Sequence, residues 1–319
     1  MDFQPTEDQQ HLRAGVRDLL AGRYGREALR ASVDAAAGGG AGAGGGGAAG
    51  VDRALWRELG GAGFFALRLP ESEGGAGLGL PEAVLVFEEA GRALVPGPLV
   101  ATHLAAGVVP GAADGTAVVT AFDLDGPLVA HLGDADAVLG AAAVPAGEPV
   151  RSVDPLTPLH RVAAAGDVSA YRATGALLTA ALQLGSALRT VELAVRYAGE
   201  REQFGQPIGA FQAVKHLCAR MLVRAEVART AVYAAAVTGD PGEAAAAKLL
   251  ADEAAVQGAR DCLQVHGGMG FTWEADVHLH LKRAWVRAEQ WRTAAQAQEL
   301  LAEALLAEAL LAEELPATA

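Results

Sequence analysis

From about residue 169 to 312 the chain is written for long helices, and this constrains its fold more than any other feature. Helical patterning covers Gly175 to Ala198, Phe211 to Val237 and Glu243 to His266, with short polar or Gly/Pro-containing turns between them. Glu192 and Arg196 stand four residues apart in the order that favours an ion pair on a helix. Leu300 to Leu315 repeats Ala-Glu-Ala-Leu-Leu with a period of five. Its leucines cover most of the helix circumference, which suits either a partner surface or packing on the chain's own bundle. Aromatic residues make up only 5% of the chain, against the aromatic and β-branched usage of an all-β protein.

The N-terminal part is also helical in pattern. Thr6 can cap a first helix, and Gln9 three residues on completes a capping box. Phe3, Leu12, Val16, Leu19 and Leu20 form the apolar stripe that follows. Residues 35–50 are only Ala and Gly, which predicts a mobile loop. Helix resumes at Leu55-Trp56-Arg57-Glu58-Leu59, a Gly-rich passage runs from Leu69 to Gly79, and another helix spans about Pro81 to Leu94 until Pro96 and Pro98 stop it. Between about 117 and 168 the character changes. Short strands are predicted at Ala117 to Phe122, Pro127 to Leu132, Ala137 to Leu139 and Leu159 to Val162. The chain thus reads as an N-terminal helical domain over 1–110, a small β-rich insert over 111–168 and a helical part over 169–319.

Bulk properties exclude several classes. A net charge of −13 argues against a general nucleic-acid binder or a protein of anionic membrane surfaces, though not against a local basic pocket for phosphates. No apolar run reaches the length of a membrane-spanning helix, and Met1-Asp2-Phe3-Gln4 does not begin a signal peptide. Cys218 and Cys262 form no Cys-x-x-Cys pair, so neither a disulfide scaffold nor a metal site is indicated, and a reduced cytoplasmic setting fits best.

Two turns carry the chemistry. Arg201-Glu202-Gln203-Phe204-Gly205-Gln206-Pro207-Ile208-Gly209-Ala210-Phe211-Gln212 joins two long helices and offers a guanidinium, a ring and two amides close together. A guanidinium can pair with phosphate oxygens through two hydrogen bonds. Gln264-Val265-His266-Gly267-Gly268-Met269-Gly270-Phe271-Thr272-Trp273-Glu274 follows a helix end, and paired glycines let a phosphate or ribose approach the backbone. Taken singly, the first is ordinary interhelix turn chemistry and the second a helix stop.

In this order and spacing the two turns resemble the acyl-CoA dehydrogenase family of flavoproteins. The resemblance extends to Met1-Asp2-Phe3 with Glu7-Asp8-Gln9, Leu55-Trp56, Leu69-Pro70-Glu71, Gly74-Gly75 and Phe87-Glu88-Glu89-Ala90-Gly91-Arg92-Ala93-Leu94, and covers nearly the whole chain except its middle. It implies a mainly α fold: an N-terminal helical domain, a middle β-domain, here reduced, and a C-terminal four-helix bundle. It implies FAD, held partly by a neighbouring subunit in a homodimer, a homotetramer or a heterotetramer with a homologous partner. By resemblance Arg201 meets the FAD pyrophosphate, Phe204 lies near the adenosine half, and Gln212 is a further contact. Gln264, Val265, His266, Gly267 and Gly268 line the ADP moiety, while Glu274 orders the turn. The reaction implied is α,β-dehydrogenation of an acyl-CoA or other acyl thioester, in which a carboxylate takes the α proton.

The sequence departs from the family where that carboxylate is usual. One position falls at or beside Trp291, within Gln290-Trp291-Arg292-Thr293, and the other near Gly175, where Arg172 to Ala187 contains no Asp or Glu. Glu289 reads as a helix-surface carboxylate. The middle domain lacks the Thr-Glu-Pro segment and the Trp-containing strand that cradle the flavin ring, and its lost bulk is expected to widen the acyl pocket. The chain therefore reads as a subunit supplying mainly the ADP side of a shared FAD site, with no catalytic base assigned. The alternative is a non-catalytic structural or regulatory partner of a flavin-bearing homologue.

Overall fold

Thr6 begins the fold as its sequence predicts. Its hydroxyl accepts the Gln9 amide at 3.3 Å, while the Gln9 side chain accepts the Thr6 amide at 2.9 Å. The computed structural model describes residues 5–38, 50–163 and 165–314, so Phe3 and residues 39–49 of the Ala/Gly run lie outside the described residues. Five N-terminal helices follow: α1 (Glu7–Arg23), α2 (Arg26–Gly38), α3 (Arg53–Gly61), α4 (Leu80–Arg92) and α5 (Leu99–Ala105). α2 runs into the stretch read as a loop, because Ala is the strongest helix former and Ala35 to Ala37 extend the helix begun at Arg26. Trp56, Phe64, Phe65 and Phe87 tie α3 and α4 together, with ring centroids 4.8–5.4 Å apart.

The insert is small. β1 (Val119–Ala121) pairs in parallel with β3 (Ala137–Leu139), and β5 (Leu159–Val162) stands between β2 (Leu128–Ala130) and β4 (Gly147–Val150), antiparallel to both. β1 is buried throughout, so it reads as an apolar run.

The C-terminal part comprises α6 (Arg172–Glu200), α7 (Gln212–Thr238), α8 (Pro241–His266), α9 (Val277–Ala288) and α10 (Ala294–Glu314), with a hairpin, β6 (Glu202–Gln203) and β7 (Gln206–Pro207), between α6 and α7. α4 crosses α6 at backbone contact: a Cβ at Gly91 would lie 2.1 Å from the Leu182 carbonyl oxygen, and one at Gly185 1.9 Å from that of Glu88. The same crossing buries Glu88, which accepts the Tyr233 hydroxyl at 2.7 Å. Glu192 pairs with Arg92 of α4 at 2.8 Å and with Arg189 at 3.0 Å; Arg196, its expected partner, is passed over because an interhelix guanidinium is within reach. In α10, Leu305, Leu306 and Leu310 are exposed. No helix among the described residues is long and apolar enough to cross a membrane.

One large apolar core runs through the N-terminal helices, the insert and most of the bundle. A second, smaller cluster fills the far end of the bundle, where Leu193, Ala198, Met221, Cys262, Leu263, Val265, Val277 and Leu281 meet. It underlies the two turns singled out in the sequence.

Candidate functional site: an open turn pair and a closed pocket

The first turn is a two-residue hairpin. Phe204 and Gly205 both take left-handed backbone, φ +54° and +77°, the handedness that matches strand twist in such hairpins. A phenylalanine in that region carries strain of about 1–3 kcal/mol. Its ring is 92% exposed and meets only the edge of Phe211, at 6.1 Å between centroids. The Arg201 side chain is exposed and makes no ion pair or hydrogen bond among the described residues. Gln212 opens α7, also exposed.

The second turn stands beside the first. His266, at the end of α8, stacks on Tyr197, one turn before Arg201, with centroids 4.2 Å apart and planes at 20°. The ring's Nδ1 lies 2.8 Å from the Cys262 carbonyl oxygen, and burial holds the imidazole below the usual histidine range. Val265 points into the smaller core cluster rather than outward. Gln264, Gly267 and Gly268 are exposed. Gly267 takes φ +60°, and a Cβ on either glycine would meet nothing within 4 Å, so the backbone there is open to an approaching group. Met269 and Phe271 are exposed just beyond, at 58% and 76%. The structure thus gathers the expected residues at one end of the bundle, with Val265 buried beneath them. Tyr197, which couples the two turns, lies outside both motifs and was not legible from either.

The two positions where a base carboxylate is usual come together elsewhere. The indole of Trp291 lies flat on Gly175: a Cβ there would be 2.2 Å from Trp291 Cδ2. Trp291 is buried and holds left-handed backbone, φ +61°, with its amide donating to the Asp123 carbonyl at 2.5 Å. The Gln290 side chain donates to Asp123 Oδ2 at 2.9 Å. Burial pushes the Asp123 carboxyl up to about 7. About 30 Å3 of cavity remains beside the indole. Glu289 is exposed at the end of α9.

The open end fits the diphosphate and adenosine of FAD: a free guanidinium, exposed amides and unshielded backbone stand together. The Trp291 pocket does not fit a flavin ring.

Comparison with known proteins identifies the family. Residues 6–119 match the model of the acyl-CoA dehydrogenase N-terminal domain, and residues 173–306 that of the acyl-CoA dehydrogenase C-terminal domain. The stretch between them, which holds the reduced insert, is matched by neither. The acyl-CoA dehydrogenase IpdE2 of Mycobacterium tuberculosis is 38% identical over 304 residues, covering 88% of this chain and 92% of the relative. Among solved structures, the ChsE4-ChsE5 complex from Mycobacterium tuberculosis is similar with a TM-score of 0.81 at 24% identity, covering 99% of this chain and 100% of that one. The Tcur3481-Tcur3483 steroid ACAD gives the same TM-score and identity over 95% of this chain and 99% of that one. The chain belongs to the acyl-CoA dehydrogenase family, FAD-dependent oxidoreductases acting on CH–CH donors.

Proposed function

We propose that this chain is one subunit of a heteromeric acyl-CoA dehydrogenase, contributing the ADP-side contacts of a shared FAD site while the α-proton base belongs to a homologous partner. The observation that carries the reading is the contrast between an unpaired Arg201 and a Trp291 ring seated on Gly175. On this reading the helical part over 169–319 holds the cofactor contacts, and the parts over 1–110 and 111–168 scaffold the shared site. Arg201 pairs with the pyrophosphate, and Gln212 and Gln264 donate amide hydrogens to it or to the ribose. Gly267 and Gly268 admit the nucleotide to the backbone; Val265 and His266 hold that turn from below, through the core and through Tyr197. Phe204 packs near the adenosine. Bound FAD supplies the hydride acceptor for dehydrogenation of the acyl thioester.

Two further features support a partner. Phe204, Met269 and Phe271 form an exposed apolar rim around the open turns, a surface suited to cover by another chain. The two similar structures named above are, by their names, pairs of unlike chains.

The test is an FAD titration of the purified chain alone and of the chain co-expressed with its homologous partner. FAD should bind weakly or below one equivalent in the first and stoichiometrically in the second. Stoichiometric yellow protein from the single chain would overturn the shared site. A pair that binds no flavin would favour the structural-partner reading instead.

A further inference from the structure

The cavity beside Trp291 lies where the three parts of the chain meet. Asp123 and His131 reach it from the insert, Thr179 from α6, and Arg283 and Arg287 from α9, with the start of α5 closing it. Its polar wall exceeds the hydrogen bonds that serve it. Asp123 Oδ1, His131 Nδ1 and Arg283 Nη2 are all buried without a partner.

Its charges do not balance either. Arg283 is committed: Nε donates to Asp154 Oδ2, and Nη1 donates to the Val95 carbonyl at 3.2 Å. Asp154 is equally committed, accepting the Thr157 hydroxyl at 2.6 Å and the Leu156 amide at 3.1 Å as well. Burial alone would raise the Asp154 carboxyl, but Arg283 and these donors hold it below the usual carboxylate range. That pair is closed and neutral overall. Arg287 is 3% exposed and joins no ion pair among the described residues; its one hydrogen bond, from Nη1, goes to the Leu182 carbonyl at 3.3 Å. Burial presses against its charge, yet a guanidinium keeps its proton in proteins. A buried charge that forms no ion pair is unfavourable unless something else compensates it.

Asp123 does not supply the missing charge. Among the described residues it pairs with neither arginine: its Oδ2 accepts the Gln290 side chain at 2.9 Å, and burial pushes its carboxyl up. Burial likewise lowers His131 to about 3, which leaves it neutral. Water would satisfy donors but would bring no negative charge. The volume, about 30 Å3, exceeds the roughly 10–15 Å3 one water needs, and is too small for a phosphate or a carboxylic acid.

We infer that this cavity is a binding site for one small monovalent anion of halide size, held between Arg283 and Arg287 with the Thr179 hydroxyl as a further donor. Bound there, the anion joins the insert to α6 and α9 and pairs with the arginine that joins no ion pair among the described residues. The site is separate from the FAD contacts at the far end of the bundle and does not depend on them.

Bromide is the probe. Crystals of the chain, alone or in its complex, are soaked in sodium bromide and measured at the bromine edge. An anomalous peak is expected inside the cavity, bounded by the Arg283 and Arg287 nitrogens, and it should disappear in Arg287→Gln while surface bromides remain. In solution, thermal melts in sodium bromide and sodium gluconate at equal ionic strength should show a bromide-specific rise in Tm for the parent relative to Arg287→Gln. Thr179→Val removes a donor without touching the charge and should weaken bromide about threefold or more. Three results would each overturn the site: surface bromides with no signal in the cavity, a Tm difference that Arg287→Gln leaves unchanged, or an unchanged bromide affinity in Thr179→Val.

Discussion

The two ends of the long helix α6 have met opposite fates. At its C-terminal end, Arg201 and the hairpin stand in solvent with a guanidinium unpaired and a phenylalanine ring exposed. At its N-terminal end, Gly175 lies under the indole of a buried tryptophan, and little space is left. An exposed apolar rim beside a free guanidinium is a surface suited to a partner or ligand, whereas a packed indole stabilises the fold directly. The contrast separates two jobs that one site usually combines. On the proposed reading the open end binds the nucleotide of FAD, and the other end serves packing rather than chemistry.

The largest effect should come from the closed end. Asp123 ionises near 7 in the folded chain, raised from 3.8 by burial. The folded state therefore holds the proton over that interval and the unfolded state does not, so this group's contribution to stability falls as pH rises from about 4 to about 7 and is level above. Asp123→Asn removes the penalty. Relative to the parent, the variant should gain stability between pH 4 and pH 8 by up to about 4 kcal/mol, at 1.36 kcal/mol per unit. Denaturant midpoints across that range measure it, and a difference independent of pH would show that Asp123 is not held protonated.

At the open end, Arg201→Ala should weaken FAD binding in the assembled enzyme. Charge-assisted hydrogen bonds contribute about 1.5–3 kcal/mol, or roughly 10- to 150-fold in affinity. Unchanged affinity by fluorescence titration, with the fold intact, would reduce this turn to a structural feature and collapse the contrast. Gly175→Ala sharpens the other side. Its methyl would strike the indole, and overpacking of this kind costs about 1–3 kcal/mol. Most of that cost should vanish in a Trp291→Ala background, so a double-mutant cycle by chemical denaturation reads the contact itself. Phe204→Asn should leave the free chain as stable or about 1 kcal/mol more stable, since Asn accepts left-handed backbone more readily. A marked fall in Tm would mean that the ring supports the hairpin rather than a neighbour.

Much of this was legible in the sequence, and the illegible parts share a cause. Thr6 with Gln9, the helices around Gly175, Phe211 and Glu243, and the Arg201 and Gly267 turns all announce themselves through local spacing. β4 does not, because Gly147, Glu148 and Pro149 are exposed and leave no apolar run. α5 follows the prolines that end the previous helix. On α9, His278, His280, Arg283 and Arg287 are all buried, since α9 packs under the insert and across α6 and α8, and no local spacing announces it. Asp123 reads as a turn residue in Phe122-Asp123-Leu124-Asp125-Gly126. That Trp291 closes over Gly175 is a tertiary contact between distant residues, and neither residue signals the other. The lack of a carboxylate at both positions was visible; what replaced it was not.

The central claim is that the α-proton base lies outside this chain. It is tested by the rate of flavin bleaching when an accepted acyl-CoA is mixed with the assembled enzyme at equal flavin content. Asp123→Asn alters the carboxylate that lines the pocket beside Trp291, and Glu289→Gln the one two residues before that tryptophan. Each should leave the rate within about twofold of the parent, because neither group touches the thioester. Loss of a true general base costs about 100-fold or more. A fall of that size in either variant, with helix content preserved, would place the base in this chain and contradict the account.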